Sequence, residues 1–236
     1  MQSKEKFKTY KGVFDDKTLQ VLFKLESEGY FQELSSPVSI GKESNVFTAK
    51  RKDESYVILK IYRINTADFK KMYKYIGPDT RFKGLSNQRR KIIFAWAQRE
   101  YRNLMIASQA GANVPTPYAV KDNVLVMELI GRKNKPAPRL KDMPPDNPKK
   151  FSNELIKNIK IFYKKGFIHG DLSEYNILNY KEKPYIIDLS HGTKLDYPNA
   201  KELFERDIKN IENYFSKHHI TLDIKNILNK IKKNGI

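Results

Sequence analysis

Asp171, Asn176 and Asp188 are the residues whose types and spacing can do chemistry in this sequence. Asp171 is flanked by Ile168 and Leu172, Asn176 is followed by Ile177 and Leu178, and Asp188 is preceded by Ile186 and Ile187. Short apolar runs of this kind read as buried strands or strand-like loops, so an acid at the end of one lies at the rim of a core. A carboxylate at 171 can accept the proton of an attacking hydroxyl. The carbonyl oxygen of Asn176 and the carboxylate of Asp188 can hold Mg²⁺, a hard cation that takes oxygen ligands. Taken singly, the plainer reading wins: Asp171 caps a turn and Asp188 ends a strand. The chemical reading rests on the three together in register.

That register is the one a protein-kinase catalytic loop uses, H-R-D-x-x-x-x-N followed by a hydrophobic strand and a metal-binding Asp. His169-Gly-Asp171 and Asn176 fit it, with Gly170 at the Arg position and Leu189-Ser190 in place of Phe-Gly after Asp188. The elements expected to position this chemistry lie upstream. Tyr56-Val-Ile-Leu-Lys-Ile-Tyr62 is a strand-like run with one lysine inside it, and a lysine there needs a partner or a site. Lys60 reads either as the phosphate-holding lysine of a V-A-I-K strand or as a snorkelling edge-strand residue. A helix is predicted from Gln88 or Arg89 to Gly111. Glu100 falls on its apolar stripe with Trp96 and Leu104 and pairs naturally with Lys60.

Ser35 to Lys50 reads as strand, turn, strand. The turn Gly41-Lys42-Glu43-Ser44-Asn45 sits where a kinase covers the nucleotide phosphates. Gly41, Lys42, Ser44 and Asn45 can supply donors, although for the stretch taken alone an ordinary β-turn is the better reading. Val124 to Gly131 is a buried strand ending at a glycine, which suits a hinge whose backbone at Glu128 and Ile130 can bond an adenine edge.

The remainder frames these pieces. Residues 1–12 are polar and basic, and a short amphipathic helix follows Asp15 or Asp16 and stops near Gly29. Residues 63–92 are basic with interspersed Phe69, Tyr73, Tyr75 and Phe82, a composition that suits RNA or a solvated insertion. Pro115 and Pro117 enforce an extended connection. Residues 132–149 read as irregular, Pro148 to Lys165 as a helix, Lys181 to Pro184 as a turn between strands, and Pro198 to Phe215 as a helix whose apolar face Arg206 and Asp207 interrupt. Leu222 to Ile236 reads as a basic helix. His169, His191, His218 and His219 lack metal-site spacing.

Composition limits the classes. The 236 residues carry 45 Lys and Arg against 27 Asp and Glu, a net charge of +18, with no Cys. Disulfide scaffolds and thiolate metal sites are excluded. No apolar run approaches the roughly 20 residues that span a bilayer, and the N-terminus lacks the apolar core of a signal peptide. The charge favours polyanionic partners.

Together these residues resemble the RIO family of atypical protein kinases, most closely its type-1 branch. The resemblance runs from about Val13 to Phe215. It is carried by Ser39-Ile-Gly-Lys-Glu-Ser-Asn-Val46, Ile58-Leu-Lys-Ile-Tyr62, Arg81-Phe82, Trp96-Ala-Gln-Arg-Glu100, Val124 to Gly131, His169 to Asn176, Ile186-Ile-Asp-Leu-Ser190 and Arg206-Asp207. It implies an α+β, trimmed two-lobed kinase-like fold: an N-lobe antiparallel sheet plus helix, a hinge, and a mainly helical C-lobe. Residues 1–35 would be an extension packing on the kinase domain, 36–130 the N-lobe, and 131–236 the C-lobe. About 35 residues before the sheet are too few for the winged-helix domain of the type-2 branch.

The resemblance also implies ATP, with Mg²⁺ or Mn²⁺, as cofactors. Asp171 would be the base, Asn176 and Asp188 the metal ligands, Lys60 and Glu100 the groups orienting the phosphates, and residues 63–92 the family's flexible loop. No Ala-Pro-Glu follows Asp188 and only about ten residues separate it from Pro198, which leaves no normal activation loop. In this family, ATP hydrolysis through an aspartyl-phosphate, here on Asp188, is thought to drive binding to and release from the small ribosomal subunit precursor. The expected partners are therefore its rRNA and ribosomal proteins, in the cytoplasm and away from membranes. Two other readings remain. Aminoglycoside and choline kinases also use H-G-D-x-x-x-x-N followed by I-D, though the basic insertion and the Gly-Lys-Glu-Ser turn speak against them. A kinase fold that only binds RNA is the third, though every catalytic position is filled.

Overall fold

In the computed structural model, residues 14–66, 69–77 and 88–220 are described. Residues 1–13, Phe82 and the predicted tail helix at 222–236 lie outside them. By its contacts the chain divides into two compact units, Met1–Tyr101 with Pro117–Lys135, and Arg102–Thr116 with Pro136–Ile236. The division differs from the expected break at 130/131: it assigns 102–116 to the second unit and continues the first to Lys135.

The first unit begins with α1 (Asp16–Ser27). Asp15 is its N-cap and accepts from the Thr18 backbone N–H (3.1 Å) and hydroxyl (2.9 Å), satisfying a donor that the first helical turn leaves without a partner. There follow β1 (Glu33–Ile40), β2 (Ser44–Lys50), β3 (Tyr56–Tyr62), α2 (Phe69–Ile76), α3 (Arg89–Gln109, of which Arg102 onward is counted in the second unit), β4 (Pro117–Lys121) and β5 (Val124–Glu128). The five strands form one antiparallel sheet in the order β1-β2-β3-β5-β4. Strand alternation sends side chains to two faces. Val57, Leu59 and Ile61 pack with Leu22 and Leu25 of α1 and with Phe47 and Ala49 of β2. Tyr62 packs with Met72, Ile76, Ile92, Ile93 and Trp96 on the helical side. Covered on both faces, β3 reads in sequence as an unbroken apolar run around Lys60.

Three segments are more regular than expected. Pro117 opens an edge strand, where its missing N–H costs no ladder bond, so the extended connection became β4. Part of the basic insertion is α2, which buries Met72 and Ile76. Gly131–Pro136 forms a small hairpin of β6 (Gly131–Arg132) and β7 (Lys135–Pro136) where irregular chain was expected.

In the second unit α4 (Pro148–Lys164) starts at Asn147, which accepts from Lys150 N–H (2.9 Å), with Pro148 in its first turn. It buries Phe151, Leu155, Ile159 and Phe162. β8 (Phe167–Ile168) pairs with β11 (Thr193–Lys194), and β9 (Ile177–Tyr180) with β10 (Lys183–Ile186). α5 (Ala200–Lys217) begins two residues later than expected and buries Leu203, Phe204, Ile208, Ile211 and Phe215. Among the described residues no helix is long and apolar enough to cross a membrane.

Candidate active site

The second unit brings Asp171, Asn176 and Asp188 together. Asn176 Nδ2 donates to the Asp171 carbonyl (2.9 Å) and carboxylate (3.4 Å). This fixes the amide nitrogen toward Asp171 and leaves Oδ1 as the atom that can accept a cation or a donor. Burial, and next the charge of Asp188, raise the pKa of Asp171, while Arg206 and the Asn176 hydrogen bond pull it down. The two carboxylates are therefore close enough to feel each other, and Asp171 is a stronger proton acceptor than an ordinary aspartate.

Asp188 sits at φ 60, ψ 63, in the left-handed region that Asp tolerates better than most residues. This sharp turn after β10 is held from several sides. Ser190 Oγ donates to Asp188 Oδ1 (2.7 Å), and Ile187 N–H donates to the Asn176 carbonyl (2.9 Å). Asn103 Nδ2 donates to the carbonyls of Leu189 (2.9 Å) and Gly192 (3.3 Å). His169 joins the loop to the same strand: its Nε2–H donates to the Ile187 carbonyl (3.0 Å), and its Nδ1 accepts from Asp171 N–H (3.2 Å).

Gly170 has a steric reason to replace the kinase Arg. Its φ is +78°, and a Cβ there would meet the His191 carbonyl oxygen at 2.7 Å. The missing cation returns from α5, where Arg206 Nη2 donates to the Gly170 carbonyl (2.6 Å). The adjacent Asp207 is 2% exposed and accepts from Gly170 N–H (2.7 Å) and Leu172 N–H (2.8 Å). In the sequence this pair is an interruption of an apolar helix face and one of the motifs that carry the RIO resemblance, with no partner assigned to either residue. The interruption was the signal that one face of α5 holds something polar. Asn103 gave no local signal, and Ser190 was legible only as part of the Ile186–Ser190 motif, without its hydrogen bond to Asp188.

In the first unit Lys60 Nζ lies 2.9 Å from Glu100 Oε1, with Lys60 6% and Glu100 0% exposed. Tyr62 OH donates to the other Glu100 oxygen. The pair joins β3 to α3 as the sequence suggested. The Gly41–Ser44 turn is closed by Gly41 N–H to Ser44 carbonyl (3.0 Å), and Arg63 braces it. The Arg63 backbone N–H donates to the Glu43 carbonyl (2.9 Å) and its guanidinium to the Gly41 carbonyl (3.3 Å). Gly41 and Lys42 are exposed, while Glu43 and Ser44 are half-buried.

Asn45, counted among the possible donors of the turn, has its side chain on the other face of the sheet from Lys60. It pairs with Ile61 across β2 and β3, while Lys60 pairs with Val46. Its side chain therefore lies on the α1 face, 4% exposed, with Oδ1 unpartnered in a cleft shared with Phe14, Asp15 and Thr18. Glu128 ends β5 opposite Val57, and Ile130 is buried just beyond it.

A RIO domain family model matches residues 45–227. The chain belongs to the RIO kinase family, in its type-1 branch. It is 41% identical over 224 residues to the RIO-type serine/threonine-protein kinase Rio1 of Methanocaldococcus jannaschii, covering 94% of this chain and 77% of that one. To the Rio1 kinase of Haloferax volcanii it is 37% identical over 223 residues, again 94% and 77%. To the human serine/threonine-protein kinase RIO1 it is 32% identical over 219 residues, 91% of this chain and 39% of the human one. By fold it is similar to the Rio2 kinase of Chaetomium thermophilum, solved as an ADP/Mg²⁺-phosphoaspartate complex. There the TM-score is 0.70 at 24% identity, over 87% of this chain and 62% of that one. The trimmed two-lobe kinase expectation thus agrees with the solved fold, and the RIO kinase relatives make this chain a phosphotransferase.

Proposed function

We propose that this RIO kinase transfers the γ-phosphoryl group of ATP, with Mg²⁺ or Mn²⁺, to serine or threonine or to water, and acts on the small ribosomal subunit precursor in the cytoplasm, binding and leaving it as ATP is turned over. The observation that carries the chemistry is the hydrogen-bonded set of Asp171 and Asn176 with Asp188 turned in beside them. An amide oxygen and a carboxylate suit Mg²⁺, which takes few protein ligands and completes its shell with phosphates and water. Among the described residues no cluster of three or more His, Cys, Asp or Glu offers a denser cage. Bound Mg²⁺ would neutralise charge on the phosphates.

The remaining roles fall to this chain's own residues. Asp171 accepts the hydroxyl proton as the oxygen–phosphorus bond forms and the β–γ bridge breaks. Lys60, oriented by Glu100, neutralises phosphate charge. Gly41 to Asn45 cover the phosphates, with Asn45 contributing through its backbone alone. Backbone groups of Glu128 and Ile130 hold adenine. In the hydrolytic branch an Asp188 oxygen attacks the γ-phosphorus, ADP leaves, and water cleaves the acyl phosphate to regenerate Asp188 and free phosphate.

The test follows γ-labelled ATP with the full chain and Mg²⁺. Acid-stable label on Ser or Thr is expected for the kinase branch. Hydroxylamine-labile label, absent in Asp188→Asn, with phosphate accumulating, is expected for the hydrolytic branch. Asp171→Asn should slow transfer by about 10²–10⁴-fold, the size of a lost general base. Transfer at the wild-type rate in both variants would overturn the assignment of roles.

A further inference from the structure

α4 carries a charge pattern that its fold does not explain. Within Pro148–Lys164 there are five lysines and one acid, Glu154. α5, in the same unit, carries four cations (Lys201, Arg206, Lys209, Lys217) and four acids (Glu202, Glu205, Asp207, Glu212), a balanced set with a Lys209–Glu212 ion pair. At about 100° per residue, Lys149, Lys150, Asn153, Lys157, Lys160 and Lys164 fall within an arc of about 100°, opposite buried Phe151, Leu155 and Phe162. Lys160 is half-buried and the other five are exposed. Among the described residues none of the five lysines forms an ion pair.

A solvated helix face is ordinarily polar, but it is ordinarily mixed in sign, as α5 is. Here the helix's own electrostatics oppose the arrangement. Lys149 and Lys150 lie in a first turn that holds no acid, at the positive end of the macrodipole, where cations are unfavourable. The nearby carboxylate of Glu182 accepts from the backbone N–H of Asp146 (2.8 Å) and Asn147 (3.4 Å), and pairs with neither lysine. A shallow open depression runs along the N-terminal half of the row, lined by Asn147, Lys149, Lys150, Asn153 and Lys157, with Glu154 as the one acid at its edge. The row extends about 22 Å at 1.5 Å per residue. A rigid single-sign row of that length can meet several successive backbone phosphates, with Asn153 as a neutral donor among them.

We propose that the exposed face of α4 is an RNA-docking surface that grips the sugar-phosphate backbone without reading sequence. The choice of RNA rests on the ribosomal-precursor reading above; the surface itself rests on the lysine row.

The test compares three forms of the full chain for binding to a short fluorescein-labelled single-stranded RNA. These are wild type, Lys149→Gln/Lys150→Gln/Lys157→Gln/Lys164→Gln, and a control that removes the same charge at exposed sites elsewhere, Lys17→Gln/Lys52→Gln/Lys201→Gln/Lys217→Gln. The α4 variant should lose about ten-fold or more in affinity, and its slope of log affinity against log salt should become shallower by about 3, near 0.7 per lost phosphate contact. The control should lose several-fold less. Phosphate release and label transfer from γ-labelled ATP should stay at the wild-type level in both, which shows that both are folded. Equal losses in the two variants, or an unchanged α4 variant, overturn the surface while leaving RNA binding intact. Wild type that binds no RNA overturns both the surface and the RNA part of the function, and the label experiment on Asp171 and Asp188 stands apart from that result. Poly-glutamate that displaces RNA at equal charge concentration overturns RNA as the occupant in favour of an acidic protein.

Discussion

The Asp207 carboxylate is buried, and two backbone N–H groups of the loop that carries Asp171 bind its oxygens. It does for the loop what no side chain within the loop does: it fixes Gly170 and Leu172 on either side of Asp171. Burial pushes its pKa up to about 7, against the pull of those two donors and of Arg206. The sign of the consequence is fixed. A carboxyl that ionises near 7 when folded and near 3.8 when unfolded binds its proton more tightly in the folded state. Its contribution to stability is therefore complete below pH 3.8, shrinks as pH rises, and is gone above about 7. The shift corresponds to roughly 4 kcal/mol at most. Urea unfolding across pH 4 to 8 should show wild-type stability declining relative to Asp207→Asn in that window, because the amide does not titrate. Parallel curves for the two proteins would mean that the carboxyl is ionised throughout this window and that its hydrogen bonds at least offset its burial.

Between elements, the Lys60–Glu100 pair is the contact whose removal separates stability from chemistry. Both groups are buried and 2.9 Å apart, on β3 and α3, and Tyr62 donates to the same carboxylate. Removing one partner strands a buried charge, which typically costs about 3–5 kcal/mol, while replacing both by apolar groups of similar volume is often close to neutral. Lys60→Met and Glu100→Leu should each destabilise by that order. The double variant should lose far less than their sum, with the lost Tyr62–Glu100 hydrogen bond as a residual cost of about 0.5–1.5 kcal/mol. Phosphoryl transfer should be lost in all three, because the double variant restores packing and no cation. Additive destabilisation in urea would show that the two side chains do not act as a pair. Recovery of transfer in the double variant would remove Lys60 from the chemistry.

For the whole molecule, what could be read from the sequence depended on range. The strand around Lys60, the helix carrying Glu100 and the Asp171–Asn176–Asp188 register are local patterns, and they were legible. The loop-holding role of Asp207 was not, although the Arg206-Asp207 motif was, because its partners lie 35 and 37 residues away and no periodicity connects them. Asn45 was legible in principle: period-two alternation puts it on one face with Phe47 and Ala49, away from Lys60, and reading the turn as a donor set passed over that constraint. β4 and the β6–β7 hairpin were hidden because prolines and lysines weaken the strand signal while pairing with neighbours supplies it.

Net charge is the property of the whole chain with the broadest consequence. Eighteen uncompensated positive charges make on the order of 150 like-charge pairs, all weakened by salt. Opposing them among the described residues are the ion pairs Lys50–Glu54, Lys121–Glu28, Lys141–Asp142 and Lys209–Glu212, each largely or partly exposed and each also screened. The buried Lys60–Glu100 pair is shielded from salt and does not enter the balance. Repulsion acts through many more pairs, and unfolding relieves it by spreading the chain, so screening should favour the folded state. Raising NaCl from low to physiological concentration at pH 7 should raise the melting temperature by several degrees. Chloride avoids the separate stabilisation that sulfate gives by exclusion from the surface. A melting temperature that falls with NaCl would mean that attractive surface pairs outweigh the excess charge. The lysines would then be compensated where they stand, and the electrostatic basis for a polyanionic partner would be lost with them.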